Sequence, residues 1–361
     1  MSMQLPLTKH FQVSKILANR IKFMPPGEPI PTMAELIAEF NASQSTISNA
    51  LARLRSQGLV ERPQGRKRLV VAEHPARALF KITLLKPLWP SPDYDALLQA
   101  IYEAGTQENW TFDVATFTEI GSLNWARAIG DSDAVILMMP GTIPDQLAKT
   151  LNSLRQPLVI LRDNPESVRA NYIWVDDRAV GRMATEHLLA LGHRRIAILL
   201  SEPVNASSSS RMRGWRDALK EAGVADFDNL IFDCSVRKGT NAIKGSYERF
   251  VAILRQPALP EFSAVFCVGW TGALAAMRAL RESGREIPGD VSVITYGSEA
   301  AFGAFLNPPL TTVRTDVREH AAEAIRVLRN ALTTVDAPPE TVLLKPDLDI
   351  CGTTAPCSKA D

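Results

Sequence analysis

From Phe80 onward, short apolar runs alternate with longer amphipathic stretches, and this alternation restricts what the chain can become. The runs are "KITLLKP", "FDVATF", "DAVILMMP", "PLVILRD", "NYIWVDD", "RIAILLSE", "NLIFDC", "AVFCVGW" and "VSVITYG". Stretches with helical spacing lie between them, among them "DYDALLQAIYEAG", "RAVGRMATEHLLALG", "SSRMRGWRDALKEAG" and "TGALAAMRALRESG". A run that is apolar on both faces has to be covered on both faces, and the helices between runs supply the cover. That is a parallel sheet in an α/β architecture. Nine such units fit two doubly wound lobes better than one sheet, and ligands of such sheets bind beyond the carboxyl ends of the strands.

Composition supports a folded, multi-domain chain. The 361 residues are 46% apolar and 22% charged, which allows two or three domains with substantial cores. The N-terminal "MSMQLPLTKHFQVSK" lacks a basic segment followed by an apolar one, and no apolar run reaches membrane-spanning length. The expected location is the cytoplasm, with no membrane partner. The four cysteines, Cys234, Cys267, Cys351 and Cys357, show no metal or redox spacing. They read as reduced thiols, two in strands and two in a C-terminal tail.

Signatures of catalysis are missing from the sequence. There is no GxGxxG after the first strand, no P-loop, no HExxH and no GxSxG. His187 and His193 are six residues apart, roughly 240° around a helix, which does not make a metal pair. Asp176 and Asp177 look like a carboxylate pair and directly precede the helical stretch "RAVGRMATEHLLALG". "NASSSS" reads as a strand-to-helix loop. The reading is a non-enzyme without metal, cofactor or catalytic residues.

The net charge of +1 conceals an uneven distribution. Residues 1–75 hold ten Lys and Arg against five Asp and Glu, an excess of +5, while the remainder has 30 against 34. Between Asn41 and Val70 six basic residues face only Glu61, a local patch suited to an anionic partner. Three helices and a hairpin can be read in this segment. "LTKHFQVSKILANRIKF" places Val13, Ile16, Leu17 and Ile21 near helical spacing, and "MPPGEPIP" breaks it. "TMAELIAEF" opens with Thr32 and carries Glu35 three residues later, a capping box. After the turn "NAS", with Ser43 as cap, a helix buries Ile47, Ala50, Leu51 and Leu54 and turns Gln44, Ser45, Ser48, Asn49 and Arg53 outward.

Two short helices joined by a three-residue turn make a helix-turn-helix. Small polar side chains on the second helix let it sink into a major groove roughly 12 Å wide and still offer donors and acceptors to base edges. "GLVERPQGRKRLVV" then reads as strand, turn and strand, with Arg66, Lys67 and Arg68 placed for phosphates or the minor groove. The helix has no bulky apolar face left for a membrane surface once its core stripe is buried.

The stretch "PPGEPIPTMAELIAEFNASQSTISNALARLRSQGLVERPQGRKRLVV" resembles the winged helix of the GntR family of bacterial repressors over about residues 5–72. It departs where that family usually has Arg, at Gln44 and Ser48. "ASQSTISNAL" is also similar to the recognition helix of the lactose-repressor (LacI/GalR) family. The resemblance implies double-stranded DNA as partner, with contacts from Thr32, Gln44, Ser45, Thr46, Ser48, Asn49, Arg53, Gln64, Arg66, Lys67 and Arg68.

"VDDRAVGRMATEHLLALGHRRIAILLSE", "SSSSRMRGWRDALKEAG", "VFCVGWTGALAAMRALRESGREIPGDVSVITYGS" and "NPPLTTVRTD" resemble, in order, the sugar-sensing domain of LacI/GalR repressors over nearly all of residues 79–350. That domain shares the fold of periplasmic sugar-binding proteins. Such a fusion resembles arabinose-repressor-type regulators. The fold expected is α/β, a small winged helix-turn-helix (residues 1–75) and a two-lobed domain of doubly wound parallel sheets (79–350), with a tail at 351–361. The resemblance implies a homodimeric repressor whose DNA affinity is set by a sugar-like effector between the lobes. Effector contacts are expected from Trp89, Asp163, Arg211, Thr240, Trp270 and Thr315. The sharpest departure is "CVGW", where Gly269 and Trp270 replace the family's Asn-Asp. Trp270 beside Trp89 would offer a flat wall, and Arg211 a grip on a carboxylated or ring-faced sugar. The alternative is that Trp270 fills core and the C-terminal domain only dimerises.

Overall fold

The computed structural model describes residues 9–63, 65, 68–73, 80–88, 91–138, 143–161, 167–203, 205–237, 240–297, 303–334 and 336–358. Helices α1 (Lys9–Ile21), α2 (Met33–Phe40) and α3 (Gln44–Ser56) pack around Val13, Leu17, Leu36, Phe40, Ile47, Ala50 and Leu54. The Thr32–Glu35 capping box and the Ser43 cap both form, because each side-chain oxygen satisfies an N–H that the first helical turn leaves open. Strands β1 (Val60–Glu61) and β2 (Val70–Val71) pair antiparallel, Val60 opposite Val71. The segment read as a simple break does more. Gly27 N–H donates to the Val71 carbonyl, Val71 N–H to the Glu28 carbonyl, and Ile30 N–H to the Leu69 carbonyl. It therefore adds a third strand-like edge to the wing, which period-based reading misses because prolines interrupt it.

The rest of the chain forms two sheets. The first combines β3 (Lys81–Pro87), β4 (Thr111–Phe117), β5 (Ala134–Met138), β6 (Leu158–Leu161), β7 (Asn171–Val175) and, from far along the chain, β13 (Thr341–Leu344). Its order is β13-β7-β6-β5-β3-β4, parallel throughout. Helices α4 (Pro92–Gln107), α5 (Trp125–Ile129) and α6 (Asp145–Asn152) accompany this N-lobe. The second sheet takes β8 (Ile196–Leu200), β9 (Ile231–Asp233), β10 (Ala264–Cys267), β11 (Ser292–Tyr296), β12 (Thr311–Arg314) and β14 (Asp347–Asp349). Its order is β14-β12-β11-β10-β8-β9, parallel except at β14. This C-lobe carries α7 (Asp177–Ala190), α8 (Ala206–Glu221), α9 (Ala242–Leu254) and α10 (Trp270–Glu282). The helix α11 (Val317–Thr333) returns to the N-lobe and packs on α4, β6 and β7.

The chain thus passes between lobes three times, after β7, after β12 and between β13 and β14. The nine apolar runs all become strands. The three strands that the alternation did not mark are β12, β13 and β14, which flank the last two crossings. They are short, and β13 and β14 are partly exposed, so they lack the continuous apolar signal of a central strand. The segment expected as a tail is part of the C-lobe. Val293 N–H donates to the Thr353 carbonyl, Thr353 Oγ1 to the Val293 carbonyl, and Cys357 N–H to the Leu191 carbonyl, with Thr353 fully buried. Backbone pairing of this kind leaves no side-chain period to read. His193 is buried between the hydroxyls of Ser263 and Ser292, and His187 Nε2 meets the Thr354 hydroxyl at 3.0 Å. Burial holds His187 below its ordinary range.

Helices α7 and α8 approach unusually closely. A Cβ on Gly181 would stand 1.9 Å from the Arg211 carbonyl oxygen, and one on Gly214 would stand 2.0 Å from that of Arg178. Backbone cannot give way as a flexible side chain can. Gly214→Ala should therefore force the helices apart and destabilise the protein by about 1–3 kcal/mol or more, read as a lower urea midpoint. The C-lobe core makes a second prediction. Burial pushes the Cys234 thiol up to about 12 and Cys267 higher as well, so neither forms thiolate readily. Iodoacetamide at about pH 8 should leave both unmodified in the folded protein and label them only after unfolding.

Candidate functional site

Two surfaces are built by this fold. The first is the outer face of α3. Gln44, Ser45, Ser48, Asn49 and Arg53 are exposed there, opposite the buried stripe of Ile47, Ala50 and Leu54. The Ser43 hydroxyl lies 2.9 Å from those of Ser45 and Thr46, so these three share the cap at the helix start. Gln44, Ser48 and Asn49 are left as the solvent-facing edge of the helix. Thr32 donates its hydroxyl to Glu35 at 2.8 Å, which commits it to the cap of α2. Arg68 is exposed and close enough to Glu35 for its charge to lower that carboxyl, after the stronger effect of the Thr32 hydrogen bonds. Gln64, Arg66 and Lys67 lie outside the described residues.

The second surface is the crevice between lobes. In the C-lobe the strand order reverses between β8 and β10, and in the N-lobe between β3 and β5. Ligands in such sheets usually bind beyond the strand ends at this reversal. Arg211 comes from the second turn of α8 and reaches it. Its Nε donates to Asp177 Oδ1 at 2.7 Å and its Nη1 to the Val268 carbonyl at 2.6 Å. Its guanidinium lies 3.9 Å from the centre of the Tyr296 ring. The close helix approach at Gly181 and Gly214 makes this geometry possible, because it sets the start of α7 beside Arg211. Of the two adjacent carboxylates, Asp176 caps α7 through Ala179 N–H and Asp177 holds the arginine.

Trp270 is the first residue of α10. It is 8% exposed and packs with Ala273, Ala276 and Met277 in the C-lobe core. Its edge also meets the lobe junction. A Cβ on Gly297 would stand 3.0 Å from Trp270 Cδ1 and 3.5 Å from Oδ1 of Asp93, which belongs to the first turn of α4 in the N-lobe. The indole thus serves the core with most of its ring, as one of the two alternatives had it, and meets the lobe junction at an edge. Thr315 sits buried in the crossing between β12 and α11, and among the described residues its hydroxyl has no hydrogen-bond partner. Thr240 is exposed and donates its hydroxyl to the Arg237 carbonyl, a local turn apart from the Arg211 cluster. Trp89 and Asp163 lie outside the described residues.

Sequence reasoning missed several participants. Glu202, just past β8, accepts from the Thr271 hydroxyl at 3.3 Å. Tyr296 and Asp93 have no local signature either, since only the folded sheets bring strand ends and a helix start together. The same holds for the seat of the N-terminal domain. Asn19 Nδ2 donates to the Leu332 carbonyl at 2.8 Å, and Arg20 Nε to the Thr333 carbonyl at 2.5 Å. Phe23 stacks at 5.6 Å on Phe80, and Lys22 lies over the same ring. The reader is thereby clamped to the C-terminal end of α11 and to the N-lobe core.

Among the described residues no helix is long and apolar enough to cross a membrane. Residues 12–70 match the model of the gntR family of bacterial regulatory proteins, and residues 185–354 that of a periplasmic binding protein-like domain. The chain is 28% identical to the HTH-type transcriptional regulator MalR of Streptomyces coelicolor, over 90% of this chain and 96% of MalR. Its fold is similar to that of a LacI family transcriptional regulator from Enterococcus faecium with bound ribose, at a TM-score of 0.66 and 23% identity, covering 76% of this chain and 99% of the other. It is also similar to the transcriptional regulator CelR in complex with cellobiose, at a TM-score of 0.64 and 23% identity, covering 90% and 100%. The exposed polar face of α3, the wing and the two parallel sheets agree with these matches: this chain is an HTH-type transcriptional regulator that joins a gntR-family DNA-binding domain to a periplasmic binding protein-like domain.

Proposed function

We propose that this protein acts in the cytoplasm as a homodimeric repressor, and that a sugar or sugar derivative held between its lobes sets its affinity for operator DNA. Residues 1–75 form the reader, and the chain from residue 79 onward, including the docked segment around Thr353, the sensor and dimerisation domain. The observation that carries this reading is α11. The helix starts at the Thr315–Asp316 crossing and runs about 25 Å to the carbonyls that hold Asn19 and Arg20. Its inner face, Ala321, Ala324, Ile325, Val327 and Leu328, is buried in the N-lobe core. Rotation of the N-lobe about the crossings therefore carries α1, and with it α3, without slack. The two neighbours of known structure hold ribose and cellobiose, which supports a sugar as the effector class.

One recognition helix offers few base contacts, so a dimer on a pseudo-palindrome is expected, with half-sites about one helical turn or a multiple apart. No enzymatic step is assigned to the protein. A second reading, in which the sensor domain only dimerises, is favoured by the burial of Trp270 where the family has a carboxylate. A thermal-shift screen against sugars separates the two: a shift supports the sensor, and no shift with any sugar supports the dimerisation-only reading.

Two outcomes are expected with an operator fragment selected from random DNA. Asn49→Ala should cost about 1–3 kcal/mol at one base position and relax the preference there, whereas Arg68→Ala should weaken all sequences alike and flatten the salt dependence. Equal losses on all sequences for Asn49→Ala would remove it from base reading. For the switch, the effector must change DNA affinity by the same factor as DNA changes effector affinity. The double variant Asn19→Ala, Arg20→Ala should keep both bindings but shrink that factor by about 1 kcal/mol, roughly fivefold. An unchanged factor would mean that the clamp does not transmit the signal.

A further inference from the structure

We infer that the C-lobe carries a second ligand site, a hollow at its outer edge that takes a small molecule bearing a phosphate group. The hollow has a volume of about 600 Å³, and its walls include Arg281, Arg285, Glu286, Ile287, Asn307 and Pro308. Helix α10 begins just beyond the carboxyl end of β10 and ends before β11 starts, and these two strands run parallel. Its last turn therefore lies at the amino edge of the sheet, as does the Asn307–Pro308 segment ahead of β12. That edge is opposite the strand ends where the lobes meet, so the inference stands apart from the sugar-effector reading.

Local sequence places the two arginines. In "RESGRE", residues 281–286, Gly284 takes a φ of +78°, in the left-handed region that suits glycine. Its N–H donates to the Arg281 carbonyl at 2.9 Å, and Arg285 N–H donates to the Leu280 carbonyl at 3.0 Å. This Schellman turn ends α10 and folds the chain back. Arg281, from the end of the helix, and Arg285, from beyond the turn, thus line one hollow. Arg281 Nη2 donates to the Asn307 carbonyl, which joins the two walls. The Arg285 guanidinium lies 4.9 Å from the centre of the Phe262 ring, and Phe262 belongs to the C-lobe core. Stacking of this kind fixes the plane of the guanidinium fork.

The charges set the class of ligand. Arg285 Nη1 is buried and has no hydrogen-bond partner among the described residues. The carboxylates nearby in sequence are engaged elsewhere: Glu282 accepts from Tyr247 and Arg278, and Asp290 accepts from the Glu286 N–H. Glu286 Oε2 lies 3.4 Å from where a Cβ on Gly289 would stand, over the turn that follows. The last carbonyls of α10 take the N–H groups of Ser283, Gly284 and Arg285, so the negative end of the helix is capped. Two guanidiniums against one carboxylate leave the hollow net positive. A phosphate monoester carries about −1.5 to −2 charges at neutral pH and accepts paired N–H bonds from a guanidinium fork. The volume falls among small-molecule pockets, about 300–1,000 Å³, and exceeds what a phosphate ion fills. Ile287 and Pro308 give the remainder an apolar wall, so a phosphorylated metabolite fits better than orthophosphate.

Calorimetric titration of the full chain with glucose 6-phosphate, inorganic phosphate and glucose tests the site. Glucose 6-phosphate should bind the wild type, and inorganic phosphate should compete with it more weakly. Arg281→Gln and Arg285→Gln should each weaken both phosphates about tenfold or more, the loss of charge-assisted hydrogen bonds, and leave the response to glucose as it is in the wild type. Arg285→Lys keeps a cation beside Phe262 and so protects the local fold. It should retain only part of the affinity, because an ammonium lacks the fork. Arg278→Gln, on the same helix but paired with Glu282, should leave phosphate binding unchanged. No binding of either phosphate by the wild type, or equal binding by the wild type and the Arg281→Gln, Arg285→Gln double variant, would overturn the inference. So would an equal loss of glucose and glucose 6-phosphate binding in the variants, since the sugar would then sit between the lobes. Each of these failures leaves the sugar-effector reading standing.

Discussion

The ion pair between Arg211 and Asp177 is the interaction on which the sensor domain is organised. Asp177 is the first residue of α7, so it stands where the chain has just left the N-lobe sheet, and Arg211 ties it to α8 and to the end of β10. Removing one partner of so enclosed a pair costs about 3–5 kcal/mol, because the other is stranded without water. The pair exists because Gly181 and Gly214 let two helix backbones touch. A methyl group at either position would lengthen the reach that the guanidinium has to cover. Local chain geometry thus fixes an electrostatic arrangement at the C-lobe strand ends.

A parallel argument applies to the reader. A winged helix on a flexible linker would bind DNA without responding to the state of the lobes. Here the end of α1 donates to the last carbonyls of α11, where a cation and an amide meet the negative end of the helix dipole. Phe23, Phe80 and Trp110 continue the contact into the N-lobe core through aromatic packing. Buried amide bonds and ring contacts make a joint between the N-terminal domain and the lobe. Polar surface charges alone would have been screened and loose.

Much of this was legible in the sequence. The periodicity of apolar runs implied the parallel sheets, and each of the nine runs is a strand. The Thr32–Glu35 capping box, the Ser43 cap and the polar outer face of α3 were read from residue types at fixed spacings, and such local chemistry survives folding unchanged. Crossing strands were harder. β12, β13 and β14 are three or four residues long, too short to carry a period, and they are held by pairing with strands distant in sequence. The docked segment around Thr353 was invisible for the same reason: its contacts are backbone hydrogen bonds and the hydroxyls of Thr353, Thr354 and Ser358.

The sequence by itself determined which elements form and which face of each is apolar, because propensity, capping and periodicity act over a few residues. It also marked Arg211 and Trp270 as the residues whose surroundings would matter. What those side chains do was decided only by tertiary structure. Arg211 is matched by Asp177, 34 residues away, Trp270 is drawn into the C-lobe core, and Glu202 arrives from a different strand beside the glycine that precedes Trp270. The charge of a crevice is the sum over groups brought together from distant parts of the chain, and Coulomb interactions depend on their distance in space rather than along the sequence.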